Sequence, residues 1–456
     1  MLTGSCRSND TTTVVSSSGA LTLMPPEGLG LRAVELPDFS RMEDSVEKQM
    51  RARLSSLKLN VEQSHIPTVE LAAAYGEMGK LLMAGEKVDA AEACYLNAQP
   101  LAPGDRRWPY YLGHLFRIQG SLVKSAASFE RALTLEPRDV ATLVWLGEVY
   151  LAQGRAQEAE SIFARLLVIE PGSVAARFGT GRAALARKQE AEAAKYLEDA
   201  LAHDPRETAA HYPLAIAYRN LGDAAKAQAH LRQQGNVQIL PTDPLMKELD
   251  ELLQSPKAFD LRGGRALETG DWQMAAAYFQ KGLDLAPSDP ALRFRLATAL
   301  FQMGKSREAI EQFEEVVRIS PDFARAHYSR GVLMEAEGRQ QEALDRFTFA
   351  VRYEPSYIQA RVGLGGALRR SGRLQESLAE YRQALNLDRQ FADAIAGYSL
   401  TLVRLRHYRE ARDRLTEGLK LHPDEPLLAL MLARLLAAAP DAGVRDGRWA
   451  MAIVHE

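Results

Sequence analysis

Cysteine is nearly absent: only Cys6, in a polar stretch, and Cys94, in a helical one, occur in 456 residues. No disulfide framework or thiolate metal cluster can be built from two. No apolar run reaches the ~18 residues that a membrane-spanning helix needs. Charge of one sign is lacking as well. The 56 Lys and Arg against 59 Asp and Glu leave a net −3 and a pI near 6.4, without the basic excess that draws proteins to nucleic acid. The nine histidines are scattered, and no His-x-x-x-His, Cys-x-x-Cys or carboxylate-rich loop supplies metal geometry. Gly-x-Ser-x-Gly elbows, Walker loops and kinase motif sets are also missing. The sequence therefore points away from an enzyme and implies no cofactor.

What the chain does have is a beat. Pro103, Pro137, Pro171 and Pro205 are each 34 residues apart, and the spacing resumes at Pro287, Pro321 and Pro355. Val and Ile are sparse beside Ala, Leu, Arg, Glu and Gln, which favours helix over sheet. A glycine recurs where the first helix of each unit should close, at Gly120, Gly154, Gly222, Gly270, Gly304, Gly338 and Gly372. Leu143, Leu146-Gly147, Tyr150, Ala159, Phe163 and Pro171 show one unit in full, and the Ala-x-x-x-Phe step returns at Ala275/Phe279, Ala309/Phe313 and Ala343/Phe347. A fixed period of this length makes stacked helix pairs, not one globular core.

This pattern resembles the tetratricopeptide repeat family. The resemblance implies an all-α, right-handed superhelical solenoid of about ten helix-turn-helix repeats, at 72–105, 106–139, 140–173, 174–207 and 208–241, then 256–289, 290–323, 324–357, 358–391 and 392–425. Arg389 stands where proline is expected and Gln234 where a small residue is expected. Between Pro205 and Pro287 the count runs 14 residues long. Gly235-Asn236 should stop the fifth repeat early, and Thr242-Asp243-Pro244 has the chemistry of a new helix start, giving a helical insert at 242–255. It reads either as a surface elaboration or as a joint between two five-repeat halves, 72–241 and 256–425. Residues 1–35, rich in Ser, Thr and Gly, read as a disordered tail. A helical lead-in at 36–71 should open with a capping box at Ser40-Arg41-Met42-Glu43. Helices over 426–456 should cap the array, the last stopping as abruptly as a truncated reading frame would.

In this family the first helix of each pair lines the concave face through its second, fifth, ninth, twelfth and thirteenth positions. Those positions carry the aromatics Tyr110, Phe178, Tyr212, Phe294, Phe301 and Tyr328. They also carry ten basic residues, Lys80, Arg107, Arg117, Arg182, Arg219, Lys257, Arg325, Arg369, Arg370 and Arg404, against five acidic ones, Glu148, Asp260, Glu268, Glu335 and Asp393. The groove is locally basic. The terminal-carboxylate clamp of chaperone-binding relatives, Lys or Arg at the fifth position and Asn at the ninth, is absent: Tyr110/His114, Val144/Glu148 and Tyr212/Ile216 stand there. Gly363-Leu364-Gly365-Gly366 looks like a phosphate loop but falls at the packing positions of a repeat helix, and Cys94 reads as a small packing residue.

The resemblance implies a non-catalytic scaffold that holds a protein or peptide segment in its groove, with Arg107, Tyr110, Arg117, Phe178, Arg182, Tyr212, Arg219, Phe294, Phe301, Arg325 and Tyr328 as contact residues and acidic character in the partner. Neither nucleic acid nor a membrane span enters this reading, and as written the chain would be cytoplasmic. A second reading rests on Leu2-Thr3-Gly4-Ser5-Cys6, similar to the end of a bacterial lipoprotein signal. If the true start lies upstream of Met1, Cys6 would carry a lipid. The chain would then be a periplasmic or membrane-anchored tether or accessory subunit of a bacterial envelope.

Overall fold

Caps and stops cut the chain into helices of nearly constant length. In the computed structural model, which describes residues 13–15, 21–63 and 65–455, side chains such as Asp139, Ser173 and Asp271 accept the orphan amides at helix starts. All seven glycines expected to close a first helix have positive φ. In the remaining three pairs Glu86, Lys188 and Arg406 take the same left-handed conformation, which strains a residue with a Cβ by roughly 1 kcal/mol.

The chain divides into two compact units, residues 1–254 and 255–456. The first unit holds five helix pairs among its described residues: Thr68–Ala84 with Val88–Leu101, Arg107–Ile118 with Leu122–Leu135, Val140–Ala152 with Ala156–Ile169, Val174–Ala186 with Glu190–His203, and His211–Asn220 with Ala224–Arg232. A further helix, Pro244–Leu252, closes it. The second unit holds the pairs Pro256–Glu268 with Trp272–Leu285, Pro290–Gln302 with Ser306–Ile319, Ala324–Ala336 with Gln340–Tyr353, Ile358–Arg370 with Leu374–Leu387, and Ala392–Arg404 with Tyr408–Leu421. Helices Pro426–Ala438 and Gly447–His455 follow.

An aromatic wedged between glycines sets how closely successive pairs stack. A Cβ on Gly147 or on Gly179 would lie within 3.0 Å of the Phe163 ring. The same holds for Gly331 and Gly363 around Phe347, and for Gly365 and Gly397 around Tyr381. Each ring comes from a second helix and lies between two first helices, one from its own pair and one from the next. The Gly363-to-Gly366 cluster is thus a packing device inside the helix Ile358–Arg370. Cys94 is fully buried, and burial pushes its thiol far above the ordinary range.

The N-terminal segment departs from the sequence expectation. Strands Thr13–Val15, Leu21–Leu23 and Val34–Leu36 form an antiparallel sheet in which Leu21 pairs with Leu36 and Leu23 with Val34. Leu23, Val34 and Leu36 are buried in the first unit's core. The backbone amide of Arg32 donates to the Asn97 side chain at 2.7 Å, and that side chain donates back to the Arg32 carbonyl at 2.8 Å. Composition hid this, because a few alternating apolar residues amid Ser and Thr suffice when a neighbouring helix supplies the core. Cys6 and the rest of 1–12 lie outside the described residues. The expected capping box also fails: Ser40 sits inside a short 3-10 turn, Phe39–Arg41, capped by Asp38, and the helix Asp44–Glu62 starts without a side-chain cap.

The first unit's core contains one histidine with no hydrogen bond. His114 is fully buried, with both ring nitrogens unpartnered, against Tyr110, Phe129 and Trp145 at ring-centroid distances of 4.7, 5.1 and 5.0 Å. Burial first, and the nearby Arg117 second, push its pKa from 6.5 down to about 3.

Two measurements follow. Gly147→Leu forces a side chain against the Phe163 ring and is expected to destabilise the fold by about 1–3 kcal/mol, whereas Gln157→Ala, exposed on the following helix, should be nearly neutral in the same chemical denaturation; equal effects would undo this packing. Because the native pKa of His114 lies below the unfolded one, the unfolded chain binds the extra proton as pH falls. The stability of neutral His114 is complete above pH 6.5 and is lost as pH falls toward 3. Between pH 7 and 4.5, wild type should lose about 2 kcal/mol more than His114→Phe, read by tryptophan fluorescence in urea. Parallel losses would show that His114 is protonated in the fold.

Candidate functional site: the face of the first helices

The insert at 242–255 is not a surface elaboration, because its helix packs onto the first helices of the first unit. Asp243 caps the helix Pro244–Leu252, its Oδ1 accepting from the Met246 amide at 3.0 Å. Its Oδ2 accepts from the Tyr110 hydroxyl and, at 3.2 Å, from Trp145 Nε1. Tyr111 donates its hydroxyl to the Leu245 carbonyl at 3.3 Å. One turn on, Glu248 Oε1 lies 2.5 Å from Lys80 Nζ, a side chain that also pairs with Glu77 at 2.6 Å. Lys80 is only 2% exposed. Leu249 is buried in the core, with Leu245, Met246 and Leu252 partly buried beside it.

The run leading into this helix is held by backbone. Gly235 N donates to the Thr208 carbonyl at 3.2 Å, and Ala209 N to the Val237 carbonyl at 3.0 Å. Val237 N donates to Thr208 Oγ1 at 3.1 Å, and Ile239 N to Glu207 Oε2 at 2.6 Å. Burial raises the Glu207 carboxyl above its ordinary pKa, partly offset by that amide. Burial, then the bond to Asp243, likewise raises the Tyr110 phenol.

The residues mapped from the sequence fall into distinct settings. Tyr110 is wholly buried beneath Asp243, and Phe178 is buried in the core. Arg107 is bound to Asp105 at 2.6 Å and stacks over Trp108. Arg182 bonds both oxygens of Glu148, at 2.7 and 2.8 Å, and lies over Phe178. Arg117 stacks on Trp145 at 4.5 Å, with its pKa lowered by burial. Tyr212 and Arg219 are exposed. In the second unit Phe294 packs on Phe313 and Phe323, Phe301 and Arg325 are exposed, and Tyr328 lies against Tyr357 at 5.2 Å.

The corresponding face of the second unit is open. Tyr328, Val332, Glu335, Arg369, Arg370, Asp393, Leu400 and Leu427 surround a groove of about 640 Å3 with Phe347 and Tyr381 in its wall. Val332 is 40%, Leu400 36% and Leu427 47% exposed. At its edge Arg370 pairs with Glu335 at 2.5 Å, and nearby Arg404 donates to the Arg369 carbonyl at 2.7 Å. Selecting the concave positions by aromaticity and charge passes over Val332 and Leu400, although both occupy the ninth position of their repeats. Trp145 and Tyr111 are missed because they fall at sixth positions, which the map leaves out.

Among the described residues no cluster of His, Cys, Asp or Glu could hold a metal ion, and no helix is long and apolar enough to cross a membrane. The geometry offers donors, carboxylates and apolar surface for binding a chain segment.

Comparison with known proteins agrees with the repeat. A tetratricopeptide repeat model matches residues 117–179, 184–238, 266–332 and 368–435, over half of the chain, and a second matches 77–140 and 336–395. Among curated proteins, the tetratricopeptide repeat and J domain-containing co-chaperone DNJ1 of Cryptococcus neoformans is 35% identical over 70 residues, 15% of this chain and 13% of that one. DnaJ homolog subfamily C member 7 of Mus musculus is 25% identical over 96 residues, 21% of this chain and 19% of that one. The chain thus spans less than a fifth of the length of these relatives. Among solved structures, yeast Tom70 is 16% identical with a TM-score of 0.36, covering 85% of this chain and 96% of that one. The Cut9-Hcn1 structure is 12% identical with a TM-score of 0.40, covering 90% and 94%. At such scores nothing further rests on them. The repeat-model matches, over ten described helix pairs of which seven have a glycine-closed first helix, establish that this chain belongs to the tetratricopeptide repeat family.

Proposed function

We propose that this protein is a non-catalytic interaction scaffold that holds a segment of a partner protein against the first helices of its repeats. The observation that carries this reading is the open groove of the second unit. Val332, Leu400 and Leu427 present apolar surface to solvent around a concavity of peptide-binding size, while Arg370 beside it is already paired with Glu335. Solvent-exposed apolar side chains gathered in a concave wall mark a binding surface, because each adds to the unfavourable hydration of the free state. The aromatic Tyr328 supplies a rigid anchor at one side. In the first unit the basic and aromatic positions favour acidic character in what is bound.

A photo-crosslinking amino acid placed at Leu400 should capture a discrete partner in the cells of origin, while the same probe at Gln383, exposed on a second helix, should not. Leu427→Asp added to the Leu400 probe should reduce capture at least about tenfold, with helicity unchanged. Equal capture from both positions would place recognition away from the groove.

A further inference from the structure

The first unit already shows its groove at work, because its own residues 235–254 lie in it. Three successive first helices converge on this segment, and their side chains mostly donate to it, while Glu148 Oε1 accepts a long bond from Gln238 Nε2 at 3.5 Å. Lys80 reaches Glu248, Tyr110 and Trp145 reach Asp243, and Tyr111 reaches the Leu245 carbonyl. A phenol and an indole aimed at one carboxylate at a helix N-terminus form a specific receptor: the indole can only donate, and the carboxylate is the group that best accepts. Lys80 is itself almost wholly buried, so beside Glu77 of its own helix it gains from the second carboxylate that Glu248 supplies.

The hold on the segment is light. Its helix is nine residues long, too short to be stable alone in water, and only Leu249 within it is fully buried. Glu248 and Pro244 remain exposed, as do Val237 and Leu240 in the run before it. The approach through 235–239 uses mostly main-chain hydrogen bonds, which any sequence can supply. A weakly buried segment stays in place because its tether keeps its local concentration high.

From this we infer that the first unit's groove is a receptor for a short amphipathic helix with an acidic N-cap and a second carboxylate one turn later, and that 235–254 is its built-in competitor. This rests on the scaffold reading and adds to it the chemistry of the partner and the means by which access is controlled. A partner helix offering an Asp to Tyr110 and Trp145, a Glu to Lys80 and an apolar residue in place of Leu249 takes the groove only when the resident segment leaves. Its apparent affinity is lowered by the fraction of time that the groove is filled.

The test uses a fluorescein-labelled peptide with the sequence of residues 236–254, titrated by anisotropy against the full chain. Against the Asp243→Asn, Glu248→Gln, Leu249→Ala triple variant, which weakens the resident segment, it should bind at least about tenfold more tightly than against wild type. Adding Lys80→Met and Tyr110→Phe should remove the gain. Equal affinity for wild type and the triple variant, with helicity unchanged, would overturn the proposal. So would concentration-dependent dimerisation of wild type in sedimentation, because the resident segment would then belong to a second copy. Should the triple variant fail to fold, hydrogen exchange on the wild-type chain decides. Amides of Lys247 to Leu252 should exchange well ahead of those in Arg107–Ile118, and equal protection would make the helix a fixed part of the core. None of these readouts touches the second unit's groove, so partner capture at Leu400 stands or fails separately.

Discussion

Everything in this fold depends on how closely one helix pair can approach the next, and that distance is set by aromatic rings seated against glycine. Phe163 touches the backbone at both Gly147 and Gly179, and Phe347 and Tyr381 repeat the arrangement. A ring between two bare backbones gives close contact on both faces with no side chain intervening. Where the second glycine is replaced, the spacing is filled differently: Tyr95 stacks on Tyr111 of the next first helix at 5.5 Å. The rings and glycines also help to wall the groove beside the first helices, as Phe347, Tyr381 and Gly397 do in the second unit.

That groove is used in two ways in one chain. In the second unit it is lined by exposed Val332, Leu400 and Leu427. In the first unit the same kind of surface is covered by residues 235–254, with polar groups of Tyr110, Trp145 and Lys80 meeting carboxylates. The covered face carries the buried charge and the aromatic donors, and the open face carries mainly apolar surface. An occupant adds Glu248 to the Glu77 carboxylate that Lys80 already has on its own helix, and a buried charge gains from each such partner, so the first groove favours being occupied. In the second, Arg370 is met by Glu335 within the unit.

Much of this was legible in the sequence. The proline beat and the glycine stops place the helix pairs, since both signals are local: a left-handed turn favours glycine whatever surrounds it, although Glu86, Lys188 and Arg406 take that place in three pairs. Even the insert announced its helix through Thr242-Asp243-Pro244. Its destination could not be read, because Tyr110 and Lys80 lie 133 and 168 residues away from their partners. The N-terminal strands failed for the same reason: Leu23, Val34 and Leu36 become core only through helices much later in the chain. Mapping the groove by aromatic and charged type found Tyr110 and Arg182 but not that Asp243 and Glu148 already engage them.

The claim that matters most is that the first groove is filled through Asp243, and the indole N–H of Trp145 reports on it directly. In a nitrogen–proton spectrum of the full chain, that resonance should be protected from solvent exchange. In Asp243→Ala it should shift and lose its protection, while the signal of Trp108, buried with no partner for its N–H, stays in place. A Trp145 signal unchanged by the substitution would mean that the segment does not lie where the structure puts it.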